Sequence, residues 1–366
     1  MPRSHHATSH IPGLDGVRAL AVIAVVWHHA HPGLAGALAS TRGFLGVDVF
    51  FALSGLLITS LLLQEQAEHG RISLANFYAR RALRIFPLYY VLLALLALYF
   101  LLATGSPQRA AFFAALPFHA GYLSNWIQPD SFMAITWSLS TEEQFYLVWP
   151  PLLALLGTRA LPGLLAFLLL NQAVNFGWLD GWLRGAGLPY ESLDILQATF
   201  TPILLGVLMA FALNADAARA WLRRALAPRT LWLLALMTLA LANWPGSLRG
   251  APRLGLHGMT ALLLGGLVLN PGHTLVRALE WRPLAYVGTI SYGIYLLHKL
   301  GLDIAHRLLH RMGTDAPLGL FALGLLLSIA IAACSYRWLE SPLLRLKSAF
   351  RSPRASTPPI ATRTQA

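Results

Sequence analysis

Apolar positions in this chain form long unbroken runs, not the alternating stripes of a soluble fold. Run after run approaches the roughly 20 residues that carry a helix across a bilayer, and the polar stretches between runs are short. Ten runs are predicted as helical spans, at 14–33, 43–63, 86–104, 137–156, 160–178, 196–213, 229–243, 254–269, 284–303 and 317–338. A period of two is absent and the runs are too long for barrel strands. The predicted fold class is therefore all-α, a polytopic transmembrane helix bundle of about ten spans. A further apolar piece, 110–123, is interrupted by Pro117 and polar residues and reads as a re-entrant or interfacial segment.

Composition strengthens this picture. Of the 366 residues, 56% are hydrophobic and 11% charged, where a soluble domain carries about a quarter charged residues. The chain divides into a polar N-terminal segment, 1–12, one transmembrane domain, 13–345, and a basic tail expected to be disordered, 346–366. Arg3, the apolar stretch from Ala19 to Trp27 and Ala37-Leu38-Ala39 loosely imitate a cleavable signal. Asp15, Arg18, His28 and His29, in or beside that stretch, are foreign to a plain apolar signal core.

The formal charge of +12 would point to nucleic acid in a soluble protein, but here the basic residues cluster in loops. With ten spans, one side holds 18 of the 27 Lys and Arg residues and the other 8. The positive-inside rule then predicts both termini in the cytoplasm, a lipid bilayer as the partner and no nucleic acid. The single cysteine, Cys334, excludes an intrachain disulfide and any thiol constellation for metal or redox chemistry. No metal site is expected, since His5, His6 and His10 lie in the terminal segment.

Charged groups inside spans are costly and direct attention to function. The first span reads LDGVRALAVIAVVWHHA. Arg18 and His29 are 11 positions apart, which is only ~20° in azimuth and about 16 Å of rise. Asp15 can pair with Arg18 at i,i+3. His28 points ~80° away from Arg18, so geometry favours His29 as the inward imidazole. The bland alternative is an interfacial Asp15–Arg18 pair with both histidines in a belt at the far end.

The second span opens GVDVFFALSG. A carboxylate buried there, Asp48, needs a partner, and Arg18 or His29 could serve. Gly46, Ser54 and Gly55 let neighbouring helices approach closely. In FYARRALRIFPLYY, Arg81 and Arg84 share a face, Arg80 pairs with Arg84 at four, and guanidinium forks suit phosphates. The alternative is a topology signal that snorkels to lipid phosphates. In TWSLSTEEQFYLVWP, Ser138, Glu142, Tyr146 and Trp149 share a helix face, with Glu143 rotated ~100° off. A carboxylate, a hydroxyl and aromatics on one face suit acid–base work or sugar binding, against a reading of both glutamates as a solvated first turn. In GTISYGIYLLHK, interfacial aromatics and a snorkelling lysine account for most of Tyr292, Tyr295 and Lys299, with His298 a minor candidate for a second imidazole.

In this order, LDGVR…HH, GVDVFFALSG, RRALR and SLSTEEQFY resemble the acyltransferase-3 family of integral membrane O-acyltransferases over roughly residues 11–345. The resemblance is to the stand-alone type, without a C-terminal hydrolase-like domain. It implies Arg18 and His29 as the paired first-span residues, Arg81 and Arg84 as the RxxR that meets the acyl donor, and Glu142 as the glutamate of SLxxExxFY. Asp15, Asp48, Ser138 and Tyr146 are expected to support them. The implied reaction moves an acyl group, expected to be acetyl, from acyl-CoA to a hydroxyl of a carbohydrate acceptor, in a bacterial inner membrane. Acyl-CoA is then a substrate, and no permanently bound cofactor is expected. A rival from another class is a transporter, because intramembrane Asp, Arg, His and Glu also mark substrate pathways. Oligomeric state is not specified by the sequence.

Overall fold

Proline, glycine and charge punctuate the apolar runs, and the helices begin and end where these fall. A computed structural model describes residues 11–30, 42–127, 133–186, 200–314 and 316–350. The Ala37-Leu38-Ala39 site, the tract of His5, His6 and His10, and the tail beyond 350 lie outside the described residues. In chain order the helices are α1 (Leu14–Ala30), α2 (Leu45–His69), α3 (Leu74–Leu102), α4 (Arg109–Ala120), α5 (Thr136–Leu156), α6 (Leu161–Asn175), α7 (Asp180–Gly185) and α8 (Phe200–Asn214). There follow α9 (Asp216–Ala225), α10 (Pro228–Ala242), α11 (Ala251–Leu269), α12 (Thr274–Leu279), α13 (Arg282–Thr289), α14 (Ser291–Arg311), α15 (Pro317–Ser335) and α16 (Ser341–Arg345). No strand occurs among the described residues.

Local chemistry explains many of these boundaries. Gly70 stops α2 at φ 72°, a left-handed conformation that costs glycine little. Proline in the first turn opens α6, α10, α11, α13, α15 and α16, where its missing N–H is not needed.

The all-helical prediction holds among the described residues, and each of the ten predicted runs overlaps helix there. Five helical stretches are long and apolar enough to cross a membrane: Leu45–His69, Leu74–Leu102, Thr136–Asn175, Ala251–Leu269 and Pro317–Arg345. A sixth is possible if α8 and α9, bent by 106°, count as one. The runs at 137–156 and 160–178 are joined into one stretch because Gly157–Ala160 form a 3-10 turn where a loop is expected. Helix α3 begins at Leu74, earlier than the predicted 86, so Arg80, Arg81 and Arg84 lie within it. The apolar run marks only its lipid-facing length. Leu346–Phe350, assigned to the tail from the sequence, form a 3-10 turn. Arg80 fixes that turn by donating from Nη1 to the Phe350 carbonyl at 2.7 Å.

Outward leucines such as Leu155 (83% exposed) and Leu236 (62%) suit a lipid surround, whereas the core is built from Val22, Phe51, Tyr89, Trp149, Leu153, Ile203 and Ile294. Glycine sets the tightest contacts. A Cβ on Gly55 would lie 2.0 Å from the Ile203 carbonyl oxygen of α8, and one on Gly46 2.2 Å from that of Ala21 in α1. The small residues read from GVDVFFALSG therefore do bring two different helices against α2. The interrupted segment 110–123 contains α4, whose 12 residues rise only ~18 Å, short of a ~30 Å hydrocarbon core. Tyr89 ties α3 to it by donating to the His119 carbonyl at 2.8 Å.

Candidate active site

Two polar clusters lie along α1. The first gathers at its opening turn. Asp15 and Arg18 form the expected ion pair. Arg84 lies in the field of Arg18, Arg81 and Asp15. Arg81 stands over the Tyr146 ring, 4.7 Å from its centroid, a cation–π contact that fixes the guanidinium plane. Arg80 is directed elsewhere, to Glu65 at 3.3 Å and to Phe350, and not to Arg84.

The α5 face joins this cluster. Tyr146 donates to Ser54 Oγ at 2.9 Å, and Ser54 donates to Glu142 Oε1 at 2.7 Å. Glu142 also feels Arg81 and Arg18. Trp149 Nε1 donates to Thr59 Oγ1 at 2.9 Å. Glu142 is thus anchored within the bundle, in place of the solvated first turn that was the alternative. Glu143, rotated off this face, has a buried Oε1 without a hydrogen-bond partner.

The second cluster lies at the far end of α1. Ser138 Oγ is 2.6 Å from Tyr295 OH. One turn on along α14, His298 is 0% exposed and its Nε2 lies 3.3 Å from His29 Nδ1. His29 itself is exposed, whereas His28 turns to the Phe44 ring at 5.5 Å. The sequence reading of Tyr295 as an interfacial aromatic is corrected here, since it faces inward, and His298, the minor candidate for a second imidazole, is buried beside His29. Arg18 and His29 share a helix face but belong to different clusters, bridged through Glu142 and Ser138, one turn apart on α5.

Asp48 has neither of its expected partners. Its Oδ2 accepts from Arg253 at 3.2 Å and lies 3.0 Å from His257 Nε2. The cause is azimuth. Asp48 lies ~200° round the helix from Gly46, the residue against α1, and so shares the face of Ala52 and Gly55 that meets α8 and α11.

Sequence reasoning missed Ser54 as a hydrogen-bond relay, His257 and Arg253 as partners of Asp48, and Lys347 beside the arginines. The i,i+3 spacing of Tyr295 and His298 was the available signal for their shared face. Lys347 follows the last candidate span. Burial, then neighbouring Arg84, Arg81 and Arg80, lower its ammonium pKa to about 7. Among the described residues no group of three or more His, Cys, Asp or Glu could hold a metal ion. Chemically, the first cluster offers guanidinium forks to a polyanion, and the second an accessible imidazole.

The chain matches the acyltransferase-domain family, type 3, from residue 11 to residue 337. It is 29% identical over 370 residues to a candidate peptidoglycan O-acetyltransferase of Bacillus subtilis, covering 93% of this chain and 56% of that protein. It is 28% identical over 383 residues to the peptidoglycan O-acetyltransferase of Listeria monocytogenes, covering 93% and 57%. A candidate O-acetyltransferase of Staphylococcus aureus is 27% identical over 372 residues, covering 91% and 57%. The chain spans little more than half the length of these curated relatives. No solved structure matches it significantly.

Proposed function

Because this chain belongs to the acyltransferase-3 family, we propose that it is a multi-pass membrane O-acetyltransferase that moves acetyl from acyl-CoA to a carbohydrate hydroxyl. The observation that carries this reading is the division of labour along α1. Guanidinium groups fit for a polyanion gather at one end, and an exposed imidazole stands at the other. The names of the Bacillus and Listeria relatives support a cell-wall carbohydrate as acceptor.

In the proposed reaction, Arg81 and Arg84 hold the donor phosphates, with Arg18 beside them. His29 takes the proton of the acceptor hydroxyl as that oxygen bonds to the thioester carbonyl carbon. The C–S bond breaks, and the imidazolium returns the proton to the leaving thiolate, giving free thiol and an O-acetyl ester. An imidazole suits this because its ordinary pKa is near ~6.5. Glu142, held by Ser54, orients the acceptor or its proton path.

The proposed topology has ten crossings with both termini in the cytoplasm of a bacterial inner membrane. Helix in the described part of each predicted run and the excess of arginine on one side support it. A topology reporter fused at Thr158 is expected to read cytoplasmic, and a periplasmic signal would overturn the scheme.

The activity is tested with labelled acetyl-CoA presented to the cytoplasmic face of inverted vesicles. Label is expected in the carbohydrate fraction, and His29→Ala is expected to lower transfer by about 10²–10⁴-fold, the usual worth of a general base. Near-normal transfer by His29→Ala would remove His29 from the mechanism. Uptake without covalent transfer would replace the enzyme with a transporter.

A further inference from the structure

The contact between His29 and His298 fixes where the protons sit. His298 Nδ1 is 2.6 Å from the Tyr295 carbonyl oxygen. A carbonyl can only accept, so the hydrogen-bond network assigns the His298 proton to Nδ1. In a neutral imidazole the other nitrogen is then a lone pair. That lone pair, on Nε2, lies 3.3 Å from His29 Nδ1.

His29 Nδ1 is also 2.9 Å from the Val25 carbonyl oxygen. Two acceptors from two helices therefore meet one nitrogen. A proton on His29 Nδ1 satisfies both, and its absence would set three lone pairs against one another. The opposite arrangement, a doubly protonated His298 donating to His29, would bury a cation close to Lys299, whose charge opposes it.

We propose that His298 is a positioning residue for His29: as a buried acceptor it holds the His29 proton on Nδ1 and leaves His29 Nε2 as the basic nitrogen. This rests on the reading of His29 as the base. When Nε2 takes the hydroxyl proton, the imidazolium still has Nδ1–H donating to His298 and Val25, so the charge is met by groups already in place. The role parallels that of the orienting carboxylate in a hydrolase triad, with a neutral acceptor suited to a membrane interior. Val25 supplies part of the same restraint, so loss of His298 weakens the arrangement without abolishing it.

The test compares His298→Leu, which keeps bulk and removes the acceptor, with His298→Gln, which can present a side-chain carbonyl near the former Nε2. His298→Leu is expected to lower kcat about tenfold or more, less than the ~10⁴-fold loss of a triad carboxylate, with donor KM unchanged. His298→Gln is expected to restore most of that loss. In parallel, ¹⁵N spectra of histidine-labelled protein in nanodiscs, with His29→Ala as the subtraction, read the tautomer directly. Wild type is expected to carry the His29 proton on Nδ1, and His298→Leu a mixture.

A wild-type His29 protonated on Nε2 overturns the proposal even if neither variant folds. Wild-type kcat in His298→Leu, or equal loss in both variants, overturns it as well. If His29→Ala is inactive in these outcomes, the base assignment stands and only the role of His298 falls. An active His29→Ala removes the base, and the role of His298 with it, whatever the spectra show.

Discussion

Lys347 is a residue whose charge state is set by burial and by its neighbours. Its ammonium is lowered to about 7 by burial and by Arg84, Arg81 and Arg80. An unfolded lysine keeps its proton to ~10.4, so between about 7 and that value the unfolded chain binds more protons. Stability therefore rises with pH across this window and is lowest below it. A polyanionic donor prefers the opposite state, with Lys347 charged. Donor kcat/KM is expected to fall as pH rises through about 7, by up to tenfold per unit, and Lys347→Arg is expected to flatten that arm of the profile. An unchanged profile in Lys347→Arg would exclude Lys347 from donor binding. Neighbours in sequence were legible at this scale: Asp15 with Arg18, and the shared face of Glu142 and Tyr146. Asp48 with His257, or His29 with His298, pair across more than two hundred positions, and no helical spacing encodes that.

Helices were legible wherever lipid dictates composition, and less so where protein replaces lipid. The first turns of α3 carry Phe77, Arg80, Arg81 and Arg84, a mixture that hydropathy discards but that α5 and the 346–350 turn shelter. Helix α9 is the polar counterpart, with Arg219, Arg223 and Arg224 on a helix bent 106° from α8 and Trp221 63% exposed. Its composition suits a membrane surface. Between α2 and α8 the fit depends on absence of bulk: Gly55 meets Ile203, and Gly206 meets Ala52, at distances no Cβ tolerates. Gly55→Leu must displace backbone and is expected to cost about 1–3 kcal/mol or more. A lowered midpoint in a thermal-stability assay of detergent-solubilised protein checks this, and an unchanged midpoint would mean that the seam yields freely. Because Ser54 adjoins Gly55, the same variant is expected to disturb Glu142 and lower transfer.

At the scale of the molecule, the helical membrane bundle follows from apolar runs alone, whereas the assembly of its polar clusters follows from which faces meet. Arg18 and His29 are separated by about 16 Å of rise along one helix, and α5 runs beside part of that interval, with Tyr146 and Glu142 toward the arginines and Ser138 toward Tyr295. A donor anchored at the arginines must therefore extend its acyl group most of the way along α1. An acetyl thioester of a short thiol, lacking the nucleotide, forfeits two charge-assisted contacts worth ~1.5–3 kcal/mol each. Its kcat/KM is expected to fall by about 10²-fold or more. Equal rates from the two thioesters in reconstituted vesicles would show that the guanidinium cluster serves something else. In the proposed reaction the stiffness of α1 makes it a ruler from anionic head to reactive carbon, and a thioester with the right chemistry but the wrong arm length is expected to be refused.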